Sequence, residues 1–200
     1  MRKYITEFIG TFFLVLIIGL TGNPLAIGAV LMVMVYAGGH ISGAHYNPAV
    51  TLAVLIRGRI NVSDAMVYMG SQLAGAVAAA FVISVYRETP DGSDQVVHTT
   101  RALLSEVLGT FALAYVVLNV ATAKSNTGNS FYGLAIGFTV MALAFAFDEH
   151  SGGAFNPAVA VGASVGKAFA WSNIWIYLVG CFGGAILAAL VFKMNNPEDK

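Results

Sequence analysis

The tetrapeptide Asn-Pro-Ala-Val occurs twice in the chain, as Asn47-Pro48-Ala49-Val50 and as Asn156-Pro157-Ala158-Val159. Asparagine before proline is a favourable helix start, because its side chain caps free N–H groups and proline at the first helical position loses no hydrogen bond. A helix that begins there carries about half a positive charge at its N-terminus. Two such starts facing each other would repel cations, while the asparagine amides donate hydrogen bonds to the oxygen of a passing solute. A single copy is usually a helix cap in a loop, but two copies in apolar sequence favour a shared pathway.

The sequence lacks the residue constellations of an enzyme. It has no phosphate-binding glycine loop, no zinc-type Cys/His spacing and no serine with a suitable base. Asp148, Glu149 and His150 could suggest a metal site, but adjacent residues rarely converge on one ion, so we interpret them as part of a solvated loop. Cys181 is the single cysteine and is interpreted as a packed thiol. We therefore predict no catalytic residue, no metal and no cofactor.

The composition is that of an integral membrane protein. The 200 residues are 58% hydrophobic and 10% charged, whereas a soluble domain is usually about 25% charged. No Asp, Glu, Lys or Arg occurs in four long runs, residues 8–56, 65–86, 125–147 and 168–192. A bilayer-spanning helix needs about 20 mainly apolar residues. The apolar segment after Arg2 and Lys3 resembles a signal peptide, but Glu7 opens it and no small-residue cleavage pattern ends it, so we interpret it as the first retained helix. The net charge is zero and gives no reason to expect a nucleic-acid partner.

The chain is also a tandem duplication, which limits the possible folds. Leu-Ala-Ile-Gly at 25–28 recurs at 134–137, and the two Asn-Pro-Ala-Val turns share this offset of 109 (156 − 47). A Glu-x-x-Gly-Thr block that begins at Glu7 recurs at Glu106, an offset of 99 (106 − 7), so a longer loop is predicted at 124–130. We predict one domain over 1–200, with repeats over about 1–95 and 100–200. Several glycines are expected to allow close helix packing, among them Gly75, Gly180, Gly183 and Gly184.

Each repeat contains three apolar segments long enough to cross a bilayer and one that is too short. The predicted spans are 4–22, 24–39, 63–86, 101–122, 130–148 and 171–194, and the short segments are 48–57 and 157–166. The short segments follow the Asn-Pro turns and are predicted to be re-entrant half-helices, since irregular backbone at membrane depth must be buried in protein or line water. Matched breaks indicate a pathway near the midplane. Three spans per repeat require the second repeat to insert inverted.

The basic residues predict the orientation. With both termini inside, seven Lys and Arg residues lie on the inner side and three on the outer side, which agrees with the positive-inside rule. The inner group is Arg2, Lys3, Arg57, Arg59, Lys124, Lys193 and Lys200, and the outer group is Arg87, Arg101 and Lys167. The acidic residues Glu88, Asp91, Asp94, Asp148 and Glu149 would then face outward. We predict a multi-pass protein of the cell (plasma or inner) membrane with cytoplasmic termini.

On these residues the chain resembles the aquaporin and glycerol-facilitator (major intrinsic protein) family over nearly its whole length. The resemblance rests on residues 39–50, residues 151–158 and the two Glu-x-x-Gly-Thr blocks. It implies an all-α membrane protein with six transmembrane helices and two re-entrant half-helices in an inverted repeat, a pore in every subunit, and a homotetramer. It also implies that Glu7 and Glu106 hold the re-entrant loops structurally, although an ionisable group inside the membrane is by default a functional candidate. His45 is expected beside the inner pore wall, and His40 is expected to be a packed loop residue.

The same resemblance places the narrowest point of the pore, the selectivity filter, at Ile27, Ala144, Gly153 and Val159. Most relatives have Arg at the position of Val159, and water-selective relatives tend to have His at that of Ala144. A charge at about 4 Å contributes on the order of 4 kcal/mol at an effective dielectric of 20, so its loss removes much of the repulsion of cations. We therefore predict a wide apolar filter that passes water and larger neutral solutes such as glycerol or undissociated arsenite.

Three alternatives remain open at this point. Val159 could be a neutral substitution in an ordinary water-selective aquaporin. The chain could be an ion-coupled secondary transporter, which also uses inverted repeats and broken helices, with Glu7 and Glu106 as the acidic candidates near the midplane. It could also be a non-conducting structural membrane protein.

Overall fold

The computed structural model describes residues 1–87 and 98–199, and within these ranges the chain is helical and contains no β-strand. The α-helices are α1 (Arg2–Thr21), α2 (Pro24–Ser42), α3 (Pro48–Arg57), α4 (Val62–Tyr86), α5 (Thr99–Val117), α6 (Tyr132–Ser151), α7 (Pro157–Val165) and α8 (Ile174–Asn195). A π-helical turn, Leu118–Thr122, extends α5, and short 3₁₀ turns lie at Lys124–Asn126 and Trp171–Asn173. This architecture confirms the predicted fold class.

Six of these helices are long and apolar enough to span a membrane, and they correspond to the six predicted spans. The remaining two, α3 and α7, have 10 and 9 residues. At 1.5 Å per residue each reaches about 15 Å, roughly half of a 30 Å hydrocarbon core. Both begin at the proline of an Asn-Pro pair. The chain is therefore an integral, multi-pass membrane protein.

Two predicted helix ends were wrong, and both errors have the same cause. Helices α2 and α6 continue past 39 and 148 to Ser42 and Ser151, and each ends at a left-handed glycine, Gly43 or Gly152. Glycine adopts this conformation without the steric penalty of a side chain, so the glycine and not the preceding polar residues stops the helix. His40 consequently lies exposed in the last turn of α2 and not in a packed loop.

The extension of α6 also corrects the prediction of a solvated loop at residues 148–150. These residues form the last turn of the helix. Three of the acidic residues expected on the outer side, Glu88, Asp91 and Asp94, lie outside the described residues, as does Lys200.

The two repeats interlock through their half-helices. Helix α1 packs along α4, α5 packs along α8, and α2 packs against α6. Helix α3 packs against α8 of the second repeat, and α7 packs against α4 of the first. Each half-helix is thus held by a long helix from the other repeat, so that neither repeat completes its own core.

Glycines bring the paired helices close together. A Cβ atom on Gly75 would lie 2.5 Å from the Phe8 carbonyl oxygen, and one on Gly184 would lie 2.4 Å from that of Val107. A Cβ atom on Gly180 would lie 2.6 Å from the Glu106 side chain. The prediction was wrong for Gly183, where a Cβ atom would meet nothing within 4 Å, because this position turns away from the α5 contact.

The two chain termini lie at the same end of the bundle. At this end Lys3 pairs with Asp64 at 2.6 Å, and Arg57 pairs with Asp199 at 2.6 Å. We call this end the terminal face. The opposite face carries the start of the α1–α2 connection and the ends of α4 and α6, including Gly22, Arg87 and Gly152.

Candidate channel pore

The tips of the two half-helices are joined by reciprocal hydrogen bonds. The Asn47 amide nitrogen donates to the Phe155 carbonyl at 2.8 Å, and the Asn156 amide nitrogen donates to the Tyr46 carbonyl at 2.9 Å. Each asparagine also caps its own helix, since its Oδ1 accepts from the amide of Ala49 at 2.8 Å or of Ala158 at 2.9 Å. An amide group has two N–H donors, so each asparagine keeps one for a solute.

The stretches before these asparagines are held by two buried glutamates. Both oxygens of Glu7 accept backbone hydrogen bonds, from His45 at 3.0 Å and from Tyr46 at 2.7 Å. Glu106 repeats the arrangement with the amides of Ala154 at 3.0 Å and Phe155 at 2.7 Å. Ser42 and Ser151 donate to the same carboxylates at 2.6 and 2.7 Å. Each carboxylate thus accepts the backbone hydrogen bonds that carbonyl groups would accept in a continuous helix.

A glycine beneath each turn makes this geometry possible. Tyr46 and Phe155 have positive φ angles of 49° and 47°, which non-glycine residues adopt at a cost of roughly 1–3 kcal/mol. Their rings lie over Gly10 and Gly109, where a Cβ atom would come within 2.0 and 2.2 Å of the ring carbons. In each Glu-x-x-Gly-Thr block the glutamate accepts hydrogen bonds from the backbone of the re-entrant turn. The glycine, about one helical turn further along, leaves space for the aromatic ring of the same turn.

A cavity of about 70 Å³ runs from the opposite face to the junction of the half-helices. Its walls are mainly apolar and come from α1, α2, α5 and α6, while both asparagines and the Tyr46 and Phe155 turns line its floor. Among the described residues that line it, Asp148 is the one with a full charge. Asp148 was predicted to lie in a solvated loop, whereas it lies in the last turn of α6 and lines the cavity.

The four residues expected to form the filter all line this cavity. They come from α2 (Ile27), α6 (Ala144), the second re-entrant stretch (Gly153) and the start of α7 (Val159). Ile27, Ala144 and Val159 are buried at 9%, 5% and 3% exposure, respectively. None of the four carries a polar side-chain atom. The Asp148 carboxylate lies beside them, since its Oδ1 would be 3.6 Å from a Cβ atom on Gly153.

His45 lies between this cavity and a wider, more polar vestibule at the terminal face. It lines both spaces, its Nδ1 atom is 3.1 Å from the Thr51 hydroxyl, and its ring packs edge-on against Tyr68 at 5.2 Å. The vestibule is also lined by Lys3, Arg59 and other residues of the terminal face. The two spaces together mark a path along the bundle axis.

Three residues of the site were missed in the sequence. Gln72 donates to Glu7 at 2.8 Å and to the Thr51 hydroxyl at 3.0 Å. Tyr68 and Tyr177 donate to the Ser42 and Ser151 carbonyls at 2.8 and 2.7 Å, respectively, which fixes the end of α2 and of α6. The two tyrosines are separated by the repeat offset of 109 residues, and this pairing was the signal in the sequence that could have identified them.

Within the described residues, no three His, Cys, Asp or Glu side chains are grouped as a metal site would require.

Comparisons with known proteins agree with this geometry. The profile of the family described as "Major intrinsic protein" matches residues 1–192. A "Glycerol uptake facilitator protein-like 6" from Lactiplantibacillus plantarum is 36% identical over 217 aligned residues, covering 100% of both chains. A "Putative aquaporin NIP4-1" from Arabidopsis thaliana is 33% identical, covering 100% of this chain and 76% of the relative.

A solved structure shares the fold. The aquaglyceroporin from Plasmodium falciparum superimposes with a TM-score of 0.83 at 22% identity, over 98% of this chain and 97% of that one. The chain therefore belongs to the major intrinsic protein family, and it is a passive membrane channel and not an enzyme.

Proposed function

We propose that the pore conducts water and larger uncharged solutes, such as glycerol or undissociated arsenite, through a wide apolar filter formed by Ile27, Ala144, Gly153 and Val159. The observation that carries this proposal is the burial of Val159 in the cavity wall directly after the second Asn-Pro-Ala turn. The side chains of the four filter residues carry no charge, and the small size of Ala144 and Gly153 leaves space for solutes larger than water. One similar protein is named as a glycerol uptake facilitator, and this name supports the same class of solute.

The half-helices supply the polar part of the selectivity. Asn47 and Asn156 begin two helices whose positive ends meet in the cavity, and each presents a remaining amide donor. An uncharged solute with hydroxyl oxygens accepts these hydrogen bonds, while a cation meets two partial positive charges. The barrier against cations is lower than with an arginine at position 159, since that charge would contribute on the order of 4 kcal/mol at 4 Å.

Two alternative hypotheses about the function are less well supported. An ordinary water-selective channel would need a narrower filter, and Ala144 and Gly153 are small residues. An ion-coupled transporter would use Glu7 or Glu106 as its ion site, but both carboxylates are fully buried and each accepts four hydrogen bonds. Groups that hold the re-entrant turns in this way are not available to bind and release an ion without disrupting the fold.

Stopped-flow light scattering on proteoliposomes tests the proposal. The wild-type channel is expected to pass both water and glycerol with a low activation energy and no dependence on ion gradients. Val159→Arg is expected to reduce glycerol flux more than water flux, because the guanidinium narrows the filter, while Val159→Ile preserves the apolar character as a control. Unchanged glycerol and arsenite permeability in Val159→Arg would show that this residue does not govern selectivity.

We also propose that the channel lies in the cell membrane with its termini in the cytoplasm. Six basic residues lie toward the terminal face, and three lie toward the opposite face, as the positive-inside rule requires for cytoplasmic termini. The six are Arg2, Lys3, Arg57, Arg59, Lys124 and Lys193, and the three are Arg87, Arg101 and Lys167. The single native cysteine, Cys181, is buried, so cysteines introduced at Arg2 or Lys167 can be labelled selectively. An impermeant maleimide applied to intact cells is expected to label Lys167→Cys and not Arg2→Cys.

The whole of residues 1–200 is proposed to act as one channel domain of two repeats, over about 1–95 and 100–200, and to assemble as a homotetramer. Many apolar side chains on the outer helix faces are exposed in the single chain, including Phe138 and Leu187 at 52% and 48%, and lipid or neighbouring subunits must cover them. Native mass spectrometry in detergent is expected to give a fourfold mass. A monomer under conditions that preserve water flux would contradict the assembly.

A further inference from the structure

A second cavity of about 220 Å³ lies beside the pore on the opposite face, between α1, α4 and α7. Its wall is largely apolar, and Ile83 and Phe169 are among its larger apolar side chains. Among the described residues that line it, Ser84 and Arg87, both near the end of α4, carry the polar side chains. We call this space the side cavity.

The duplication shows why the side cavity exists. Gly166, which follows α7 and lines the cavity, lies 109 residues after Arg57, the last residue of α3. At the terminal face the Arg57 side chain fills the equivalent space: it is buried, stacks on the Phe192 ring at 4.8 Å and pairs with Asp199 at 2.6 Å. At the opposite face the positions of Arg57 and Phe192 are taken by Gly166 and Ile83.

The size and the lining of the side cavity define which ligand would fit in it. An apolar cavity of about 150 Å³ is large enough to bind benzene, so 220 Å³ accommodates a benzene ring with one additional group. The basic residue at the wall favours a negative charge on that group, because a carboxylate pairs with the two parallel N–H donors of a guanidinium. We propose that the side cavity binds a small organic carboxylate of about the size of benzoate, with its apolar body against Ile83 and Phe169 and its carboxylate on Arg87.

Occupancy of the side cavity would act on the pore. Ile18, Gly152 and Val159 line both the side cavity and the pore cavity. Val159 is a filter residue in the proposed function, and the effect of the ligand on flux rests on that proposal, whereas its binding does not. A bound carboxylate supports the side of Val159 that faces away from the pore, restricts its movement and lowers the permeability of the filter to larger solutes.

Gly166 allows a selective test because a side chain can be added there. It has a φ angle of −76°, and a Cβ atom would lie 3.4 Å from its nearest neighbour, the Gly162 carbonyl oxygen. Gly166→Leu therefore fills the cavity without strain in the backbone. Arg87→Gln removes the charge, and Arg101→Gln is a matched control that removes a charge from the start of α5, outside the described lining of the cavity.

Benzoate binding to the purified channel is measured by isothermal titration calorimetry, with uncharged benzyl alcohol as the comparison ligand. We expect benzoate to bind the wild type and Arg101→Gln equally, to bind Arg87→Gln about tenfold more weakly, and not to bind Gly166→Leu. Saturating benzoate is expected to lower glycerol flux in wild-type proteoliposomes and to leave that of Gly166→Leu unchanged.

Three outcomes would overturn the inference. Absence of benzoate binding to the wild type, or unchanged binding to a folded Gly166→Leu, would place no carboxylate in the side cavity. Equal losses in Arg87→Gln and Arg101→Gln would reduce the charge effect to nonspecific attraction. Because calorimetry measures binding without flux, each of these results leaves the proposed channel activity standing.

Discussion

Gln72 and Cys181 occupy equivalent positions in the two repeats, and each donates to the glutamate that holds the re-entrant turn of its own repeat. The Gln72 amide lies 2.8 Å from Glu7, and the Cys181 thiol lies 3.3 Å from Glu106. The amide also reaches Thr51 at 3.0 Å, whereas the thiol is a weak donor. The hydrogen-bond network around Glu7 is therefore more polar and has more connections than the equivalent network around Glu106.

This difference predicts unequal effects of removing the two donors. Gln72→Met keeps the volume but deletes two hydrogen bonds, and we expect it to lower stability by about 1–3 kcal/mol. Cys181→Ala removes one weak donor and a small volume, and a loss of about 1 kcal/mol or less is expected from that hydrogen bond. Thermal unfolding in detergent, followed by tryptophan fluorescence, measures both. Equal shifts in the two variants would contradict the asymmetry.

The packing beneath the first turn predicts a strong effect at Gly10. Gly10→Ala would place a methyl group 2.0 Å from the fully buried Tyr46 ring, and overpacking of this kind costs about 1–3 kcal/mol or more. The ring cannot move away without breaking the hydrogen bond that its hydroxyl donates to the Met34 carbonyl at 3.0 Å. We expect a lower unfolding temperature and reduced water flux.

Gly70→Ala provides the matched control for that substitution, because a Cβ atom there meets nothing within 4 Å. Alanine is favoured over glycine in a helix by about 1 kcal/mol, so this variant is expected to be as stable as the wild type or slightly more stable. If Gly10→Ala behaved like Gly70→Ala, the ring would not be confined by α1.

The small side chain at Ala144 predicts the size limit of the pore. Ala144 lines the pore cavity, and Ala144→Phe is expected to lower glycerol flux at least tenfold while water flux falls less, because a ring occupies most of the space that a larger solute needs. Ala142→Phe is the control, since Ala142 lies two residues earlier on the exposed side of α6. Stopped-flow measurements of both solutes distinguish narrowing of the pore from a general defect, which would reduce the two fluxes together.

The terminal face predicts a pH dependence that involves Asp199. The backbone amide of Lys124 and the Arg57 guanidinium hold the pKa of this carboxyl below its usual value. A carboxyl group with a lowered pKa in the folded state contributes stability above its unfolded pKa of about 4, and this contribution is lost as the pH falls through the folded pKa. Asp199→Asn is therefore expected to lower the unfolding temperature at pH 7 and to match the wild type in strong acid.

A second basic residue at this face offers a control for the ion pair. Arg59 also approaches Asp199, at 3.3 Å, but its side chain is 39% exposed, whereas that of Arg57 is 2% exposed. Arg59→Gln is expected to have little effect because exposed ion pairs contribute little. An unfolding temperature of Asp199→Asn that stays below the wild type at all pH values would show that the loss does not depend on the charge.

The sequence by itself determined the fold class, the six spans and the two half-helices, because each depends on local properties. Apolar length defines a span, Asn-Pro starts a helix, and a repeated pattern at offsets of 99 and 109 requires two copies of one unit. The helix ends at Ser42 and Ser151 were missed, since Gly43 and Gly152 stop those helices only where the chain turns into the buried stretch held by Glu7 and Glu106.

The tertiary structure decided what lies between the repeats. Gln72 reaches Glu7 across 65 residues of chain, and the tips of the half-helices exchange hydrogen bonds across 108 and 110 residues. Contacts at such separations depend on how α3 and α7 enter the opposite repeat, which no local pattern encodes. The side cavity has the same origin: Gly166 becomes significant only when the fold shows that the Arg57 side chain fills the equivalent space.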